Sequence, residues 1–167
     1  NNSGTTGSLR GVAWAPEIKE TNYALDFDGT NDYVAADNVT SNLDSSTGLP
    51  FTVSAWAYPD STNNGAIWAF NNTASNPNLN LLFYSPGSTK TFKHYGRTSY
   101  VGESEHEFEP GRWYHIVVVV ESGNGKMFVN GGLEDEWPSG TNTSADRFSI
   151  GQEWDGDGDI ASDYFNG

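Results

Sequence analysis

The chain is cut at short, even intervals by turn dipeptides, and this punctuation limits its fold more than any other feature. Asp28-Gly29, Pro59-Asp60, Asn64-Gly65, Pro86-Gly87, Pro110-Gly111, Asn124-Gly125 and Asn130-Gly131 are all combinations that favour reversals. No amphipathic helix longer than about two turns fits between them. The intervals instead hold short segments rich in β-branched and aromatic residues: YALDF (23–27), DYVAA (32–36), FTVSAWAYP (51–59), GAIWAF (65–70), LNLLFYS (79–85), TFKHYG (91–96), WYHIVVVV (113–120), KMFVNG (126–131) and RFSIG (147–151). In FTVSAWAY, Phe51, Val53, Ala55 and Ala57 share one face, and Thr52, Ser54, Trp56 and Tyr58 share the other. WYHIVVVV is apolar on both faces and reads as a central strand. Gly123-Asn124-Gly125, between two strong strands, is the clearest hairpin signal. Strands at this spacing in one unit predict an all-β fold, a two-sheet antiparallel sandwich or jelly roll. Residues 1–21, opening with NNSGTTGS, read as a flexible leader, and residues 22–167 as the folded domain.

Composition supports a packed core. Only 35% of the 167 residues are hydrophobic, but six Trp, eight Tyr and nine Phe fill a core from few positions. Charge excludes partners: 8 basic residues against 22 acidic ones give a net charge of −14, the reverse of a nucleic-acid footprint. No apolar run approaches the roughly 20 residues of a membrane-spanning helix. Absence of Cys removes thiol chemistry, thiolate zinc sites and disulfides. An acidic, Asn- and Gly-rich chain suits cation-rich surroundings, which points to an extracellular or cell-surface setting.

Three stretches in order carry a family resemblance: ALDFDGTNDYV (24–34), FTVSAWAYP (51–59), and GRWYHIVVVVESGNGKMFVNG (111–131) followed by FSIGQEWD (148–155) and SDYFNG (162–167). Together they resemble the laminin G-like, concanavalin A-like jelly rolls of bacterial extracellular and adhesin proteins, and more distantly the pentraxins. The resemblance implies a curved two-sheet sandwich, calcium at its loops, and recognition of a glycan or other surface ligand without chemistry. In that family the FNG segment continues into a closing strand, which is missing after Gly167. A strand from a partner chain, or the remainder of the same domain, would complete the sheet.

The densest group of candidate ligating residues is GQEWDGDGDIASD (151–163), with Glu153, Asp155, Asp157, Asp159 and Asp163. Five carboxylates so crowded repel one another unless a cation sits among them. Calcium takes six to eight oxygens, and a Gly-punctuated loop can wrap it. DGDGD looks like half an EF-hand loop, but counting from Asp155 the twelfth place is Asn166, where an EF-hand has Glu. The pentraxin resemblance implies a different ligand set: Glu153, the Trp154 carbonyl, Asp155 and Asp163, with an earlier amide from Asn78 or Asn76. Trp154, beside that loop, is the candidate stacking platform for a sugar ring, and Asn76 the candidate amide contact.

Other residues leave alternatives open. Asp28 and Asp32, in LDFDGTNDYV, either hold a second, structural calcium with turn carbonyls or cap their own turn. Glu103, Glu105, Glu107 and Glu109 would point one way on a strand, which raises glycoside hydrolysis; that chemistry needs two carboxyls roughly 5–5.5 Å apart. The strict spacing of two, running straight into PGRWYH, fits a solvated loop better. His94, His106 and His115 are too scattered to define a triad or zinc site, and His115 is expected to hydrogen-bond within the sandwich. Trp56, Trp68 and Trp113 read as core, and Trp137 and Trp154 as loop residues.

Overall fold

A computed structural model describes residues 8–10, 13–14, 23–43, 50–60, 64–72, 78–96, 99–138, 145–155 and 160–167. The strands are β1 (Ser8–Arg10), β2 (Ala13–Trp14), β3 (Leu25–Asp26), β4 (Tyr33–Ala35), β5 (Phe51–Ala57), β6 (Gly65–Asn71), β7 (Asn78–Ser85), β8 (Thr91–Gly96), β9 (Ser99–Glu103), β10 (Tyr114–Glu121), β11 (Asn124–Val129), β12 (Gly132–Trp137), β13 (Arg147–Ile150), β14 (Glu153–Asp155) and β15 (Ile160–Ser162). A 3-10 helix, Asp37–Asn42, follows β4. Two antiparallel sheets form a sandwich: a seven-stranded one in the order β1-β4-β13-β6-β7-β8-β9, and a four-stranded one in the order β12-β11-β10-β5. β14 pairs with β15, and β2 with β3, as separate ribbons. Among the described residues no helix is long and apolar enough to cross a membrane.

The core lies between the inner faces of the two sheets. Trp68, Phe70, Leu82, Tyr84 and Phe92 come from the larger sheet, and Ile116, Val118, Val120, Met127 and Val129 from the smaller. Alternation in β5 matches the sequence pattern: Phe51 and Ala57 are buried, and Thr52, Ser54, Trp56 and Tyr58 are exposed. β10 is an interior strand as expected, but it is not apolar-covered on both sides. Its even positions are buried, while His115, Val117 and Val119 are half-buried on the outer face. β6 is covered on both faces, buried at all seven positions, and so is β7 from Asn80 to Tyr84. The outer side of β6 is closed by the C-terminal segment: the Ala66 N–H donates to the Asp163 carbonyl at 2.8 Å, and Ala66 bridges Tyr164 in parallel. A Cβ on Gly65 would stand 2.6 Å from the Phe165 Cα, so the contact needs the absent side chain.

Several elements differ from the sequence reading. Ser8–Arg10 and Ala13–Trp14, placed there in a flexible leader, pair as strands with β4 and β3. Strands of two and three residues are too short to show an alternation in the sequence. β9 and β12 were not anticipated either. The acidic GLEDEW of β12 follows an Asn130-Gly131 turn with φ of 51° and 85°, the geometry of a two-residue hairpin, and zips onto β11. Trp68 is core, but Trp56 and Trp113 are 66% and 44% exposed, because the alternation sends them outward. Trp137 belongs to a strand and is buried.

Trp137 organises one end of the core. It stacks on His94 at 4.9 Å between ring centres and 24° between planes. His94 is 1% exposed, and neither ring nitrogen has a hydrogen-bond partner. Burial pushes its imidazole down to about 3, so it stays neutral in the folded chain. The unfolded chain takes up this proton near the ordinary histidine value of 6.5. Stability is therefore fully present above about 6.5 and declines as pH falls towards 3, by up to about 1.4 kcal/mol per pH unit. Denaturant melts across pH 3–7 should show a shallower acid decline for His94→Leu than for the native chain.

Candidate functional site

The acidic loop is built on the edge between β13 and the C-terminal segment. β13 runs antiparallel to β6, with Arg147 opposite Asn71. Gly151, at φ 85°, then turns the chain, and a Cβ there would collide with the Phe27 ring. Beyond this turn β14 and β15 pair with Glu153 opposite Ser162 and Asp155 opposite Ile160. Asp157 and Asp159 lie outside the described residues. Asp163 follows β15 with φ 45°, in the left-handed region that few non-glycine residues adopt.

This geometry brings three of the expected ligands together. One carboxylate oxygen each from Glu153, Asp155 and Asp163 lies within 4.8 Å of the others. Asp155 and Asp163 are exposed, but Glu153 is 3% exposed, and its Oε2 has no hydrogen-bond partner. Burial, then a hydrogen bond with Asp163 and the charges of Asp155 and Asp163, push the Glu153 carboxyl up to about 9. A buried acid without a cation is thus held protonated at neutral pH; a divalent ion among the three would favour its ionised form. Ser162 Oγ donates to Asp155 Oδ2 at 2.9 Å and orients that carboxylate. The donor set is all oxygen, as calcium prefers.

Asn78 pairs with Asn71 through the β7–β6 backbone ladder, and its side chain, like Asn76, lies outside what the structure describes. An amide from β6 reaches this loop: Asn71, 3% exposed, donates from Nδ2 to the Trp154 carbonyl at 3.0 Å. The signal was present as a polar residue closing the otherwise apolar GAIWAF run. Replacing Asn71 by Ala should cost about 1–2 kcal/mol, through the lost hydrogen bond and a partly orphaned carbonyl. Chemical denaturation measures it. The Trp154 ring is held between neighbours: the Arg147 guanidinium sits 4.5 Å from its centre, and Tyr33 packs edge-on at 5.6 Å.

The other candidates stand apart. Asp28 Oδ1 accepts from the Thr30 N–H at 2.8 Å and the Asn31 N–H at 3.4 Å, while Asp32 Oδ2 accepts from the Asp28 N–H at 3.2 Å. Both carboxylates thus cap their own turn. The Glu103–Glu109 run is not one strand, contrary to the geometry considered for hydrolysis. β9 ends at Glu103, which lies 3.6 Å from Lys93, and Glu109 pairs with Lys90 at 2.7 Å. Between them the chain turns, because Ser104 is buried and its Oγ accepts from the Phe92 N–H at 3.1 Å. His106 contacts Glu134 at 3.1 Å, and His115 meets Ser54 Oγ at 2.8 Å on the outer sheet face.

Comparison with known proteins agrees with this architecture. A heptameric SAP-like pentraxin from Limulus polyphemus matches with a TM-score of 0.63 and 20% identity, over 84% of this chain and 70% of that one. Domain 4 of AbnA, an extracellular arabinanase from Geobacillus stearothermophilus solved with arabinotriose, gives 0.64 and 18%, over 96% and 77%. The CBM40 of a Ruminococcus gnavus IT-sialidase, bound to sialyllactose, gives 0.59 and 11%, over 86% and 80%. At such identities these likenesses concern the fold. No curated protein matches the chain. A family model does match, over residues 28–167, which span the three gathered carboxylates, the Asp28 turn and every strand from β4 onward, and on that match the chain belongs to the concanavalin A-like lectin/glucanases superfamily.

Proposed function

We propose that the chain is a non-catalytic, calcium-dependent glycan-binding module of an extracellular or cell-surface protein. The observation that carries this reading is the Glu153–Asp155–Asp163 group, with one carboxylate buried and lacking a partner for Oε2. Glu153 fixes the inner side of the site, Asp155 and Asp163 the outer side, and the Trp154 carbonyl, steadied by Asn71, lies in the same strand. Calcium held by these residues would supply coordination to vicinal hydroxyls or an anionic group of a sugar. Exposure of Asp155 and Asp163 leaves that side accessible. The pentraxin and carbohydrate-binding-module likenesses support glycan recognition in general.

A glycan array with about 2 mM calcium, repeated in EDTA and in magnesium, tests the reading. Binding in calcium and its loss in EDTA are expected. Binding that survives EDTA removes the metal from the mechanism, and no binding in calcium removes the glycan. Glu105→Gln and Glu107→Gln should leave binding unchanged and reveal no glycan turnover to abolish, since both side chains are exposed outside any strand.

A further inference from the structure

The outer face of the smaller sheet carries an aromatic cluster that neither the core nor the carboxylate loop uses. β5 is the terminal strand of that sheet, with β10 beside it and no second partner among the described residues. Trp56 lies opposite His115 in the β5–β10 ladder, and Tyr58 and Trp113 follow one residue beyond the strand ends. Alternation turns these rings outward: Trp56 is 66% exposed, Trp113 44% and Tyr58 38%. Single exposed rings are ordinary, but a contiguous set marks a surface that binds something.

The rings are held in place. Trp56 and His115 lie 5.1 Å apart at 30°, close to parallel, and Tyr58 and Trp113 lie 5.5 Å apart at 57°. His115 Nε2 meets Ser54 Oγ at 2.8 Å. The His115 N–H donates to Asn130 Oδ1 at 3.0 Å, and the Asn130 N–H donates to the His115 carbonyl at 2.8 Å. The imidazole is thus fixed through its ring and its backbone, and it steadies the indole packed against it.

Charge and size select the occupant. The outward positions of β5 and its continuation are Thr52, Ser54, Trp56 and Tyr58. Those facing them on the β10 side are Trp113, His115, Val117 and Val119. None of the eight is Asp, Glu, Lys or Arg, on a chain with 22 acidic and 8 basic residues. Charge begins at the margins, with Asp60, Glu121 and the Lys126–Glu136 pair at 3.7 Å, beside Phe128 and Leu133 of β11 and β12. Four outward positions about 6.7 Å apart on each of two strands make a strip of roughly 20 by 10 Å, about 200 Å². A stable protein partner needs about 800 Å² from each side. Ser54, Trp56, Tyr58 and Trp113 also border the recess beside β5. A backbone paired along the open edge of β5 would lie in the plane of the sheet, beside the outward rings rather than over them.

We propose that this strip binds a neutral oligosaccharide, with Trp56 stacked on one sugar ring and the Tyr58–Trp113 pair on another. The C–H face of a sugar is slightly positive and meets the negative face of an aromatic ring. The hydroxyls of Thr52, Ser54 and Tyr58 pair with those of the sugar, donating or accepting as needed. An acidic sugar would be repelled by the chain's net charge of −14, which a neutral one does not feel. β14 packs against β6 and β7 of the larger sheet, so this site lies on the opposite side of the sandwich from the carboxylate loop and needs no metal.

Isothermal titration calorimetry of the 167-residue chain in EDTA, against neutral hexaoses of glucose, xylose, mannose, galactose and arabinose, tests the proposal. At least one hexaose should bind, and Trp56→Ala should weaken it at least roughly tenfold. The thermal midpoint of Trp56→Ala should match that of the native chain, because the side chain is mostly exposed. Glu153→Gln should leave this binding intact, whatever the calcium-dependent array shows. Binding of none of the hexaoses would overturn the proposal, as would an affinity that survives Trp56→Ala. A chain that sediments as a dimer, and as a monomer once Trp56 is replaced, would give the strip to a second copy and overturn it too.

Discussion

Calcium at about 2 mM should raise the midpoint of thermal unfolding, and Glu153→Gln should abolish that rise without lowering the midpoint in EDTA. An ion that binds only the folded chain adds RT ln(1 + [L]/Kd), about 2.7 kcal/mol at a hundredfold excess over Kd. At about 2–4 °C per kcal/mol for a chain of this size, the shift is roughly 5–11 °C. Glu153→Gln separates ligation from folding because the buried carboxyl is already neutral without metal, so an amide of the same shape is tolerated. The pH dependence follows with a definite sign. The unfolded carboxyl titrates at 4.5 and the folded one at about 9. In EDTA, the Glu153 contribution is fully present below 4.5 and is lost as pH rises towards 9. Calcium should flatten this decline, since it favours the ionised form. An unchanged midpoint with and without calcium in the native chain would end the metal-bridged reading.

Gly125→Ala should be the most damaging single methyl group in the smaller sheet. Gly125 lies opposite Trp137 in the β11–β12 ladder, and a Cβ there would collide with the indole at its Nε1. Gly102, on β9, faces the other part of the same ring, where a Cβ would stand 2.6 Å from Cε3. The indole is thus fixed by two glycines and by the stacked His94. Overpacking of this kind costs about 1–3 kcal/mol, here towards the upper end because the Cβ would meet three indole atoms within 2.7 Å. Trp137→Ala alone should cost about 3–5 kcal/mol. The two changes should not add: in the Trp137→Ala background, Gly125→Ala should cost only a few tenths of a kcal/mol. Urea unfolding of the four chains in this cycle measures the coupling, and additive costs would refute the packing account.

Much of the sandwich could be read along the chain because its signals are local. The alternation of Phe51 to Tyr58, the turn at Asn130-Gly131 and the apolar run of β6 each require knowledge of only a few neighbours. The same holds for the acidic loop, since Glu153, Asp155 and Asp163 are close in sequence, and the short β14–β15 ribbon folds them onto one another. Composition and order of segments therefore determined the all-β class, the two-sheet architecture, most strand positions and the carboxylate group.

What depended on distant partners could not be read in this way. Whether Val117 faces core or solvent depends on which sheet covers β10, and the apolar run of Ile116 to Val120 is silent on that. Trp56 and Trp113 look like core in any hydropathy reading, but the pleat turns them outward. Trp137, in an acidic stretch, is buried because Gly102 and Gly125 leave room for it. Asn71 reaches the Trp154 carbonyl because β13 lies beside β6 across 75 residues of intervening chain, as Arg147 opposite Asn71 shows. The sequence by itself determined which residues could form strands and which acids could gather. Only the tertiary structure decided which face each side chain took, which amide met the loop and where an edge was left open, because these are set by backbone pairing between segments far apart in the chain.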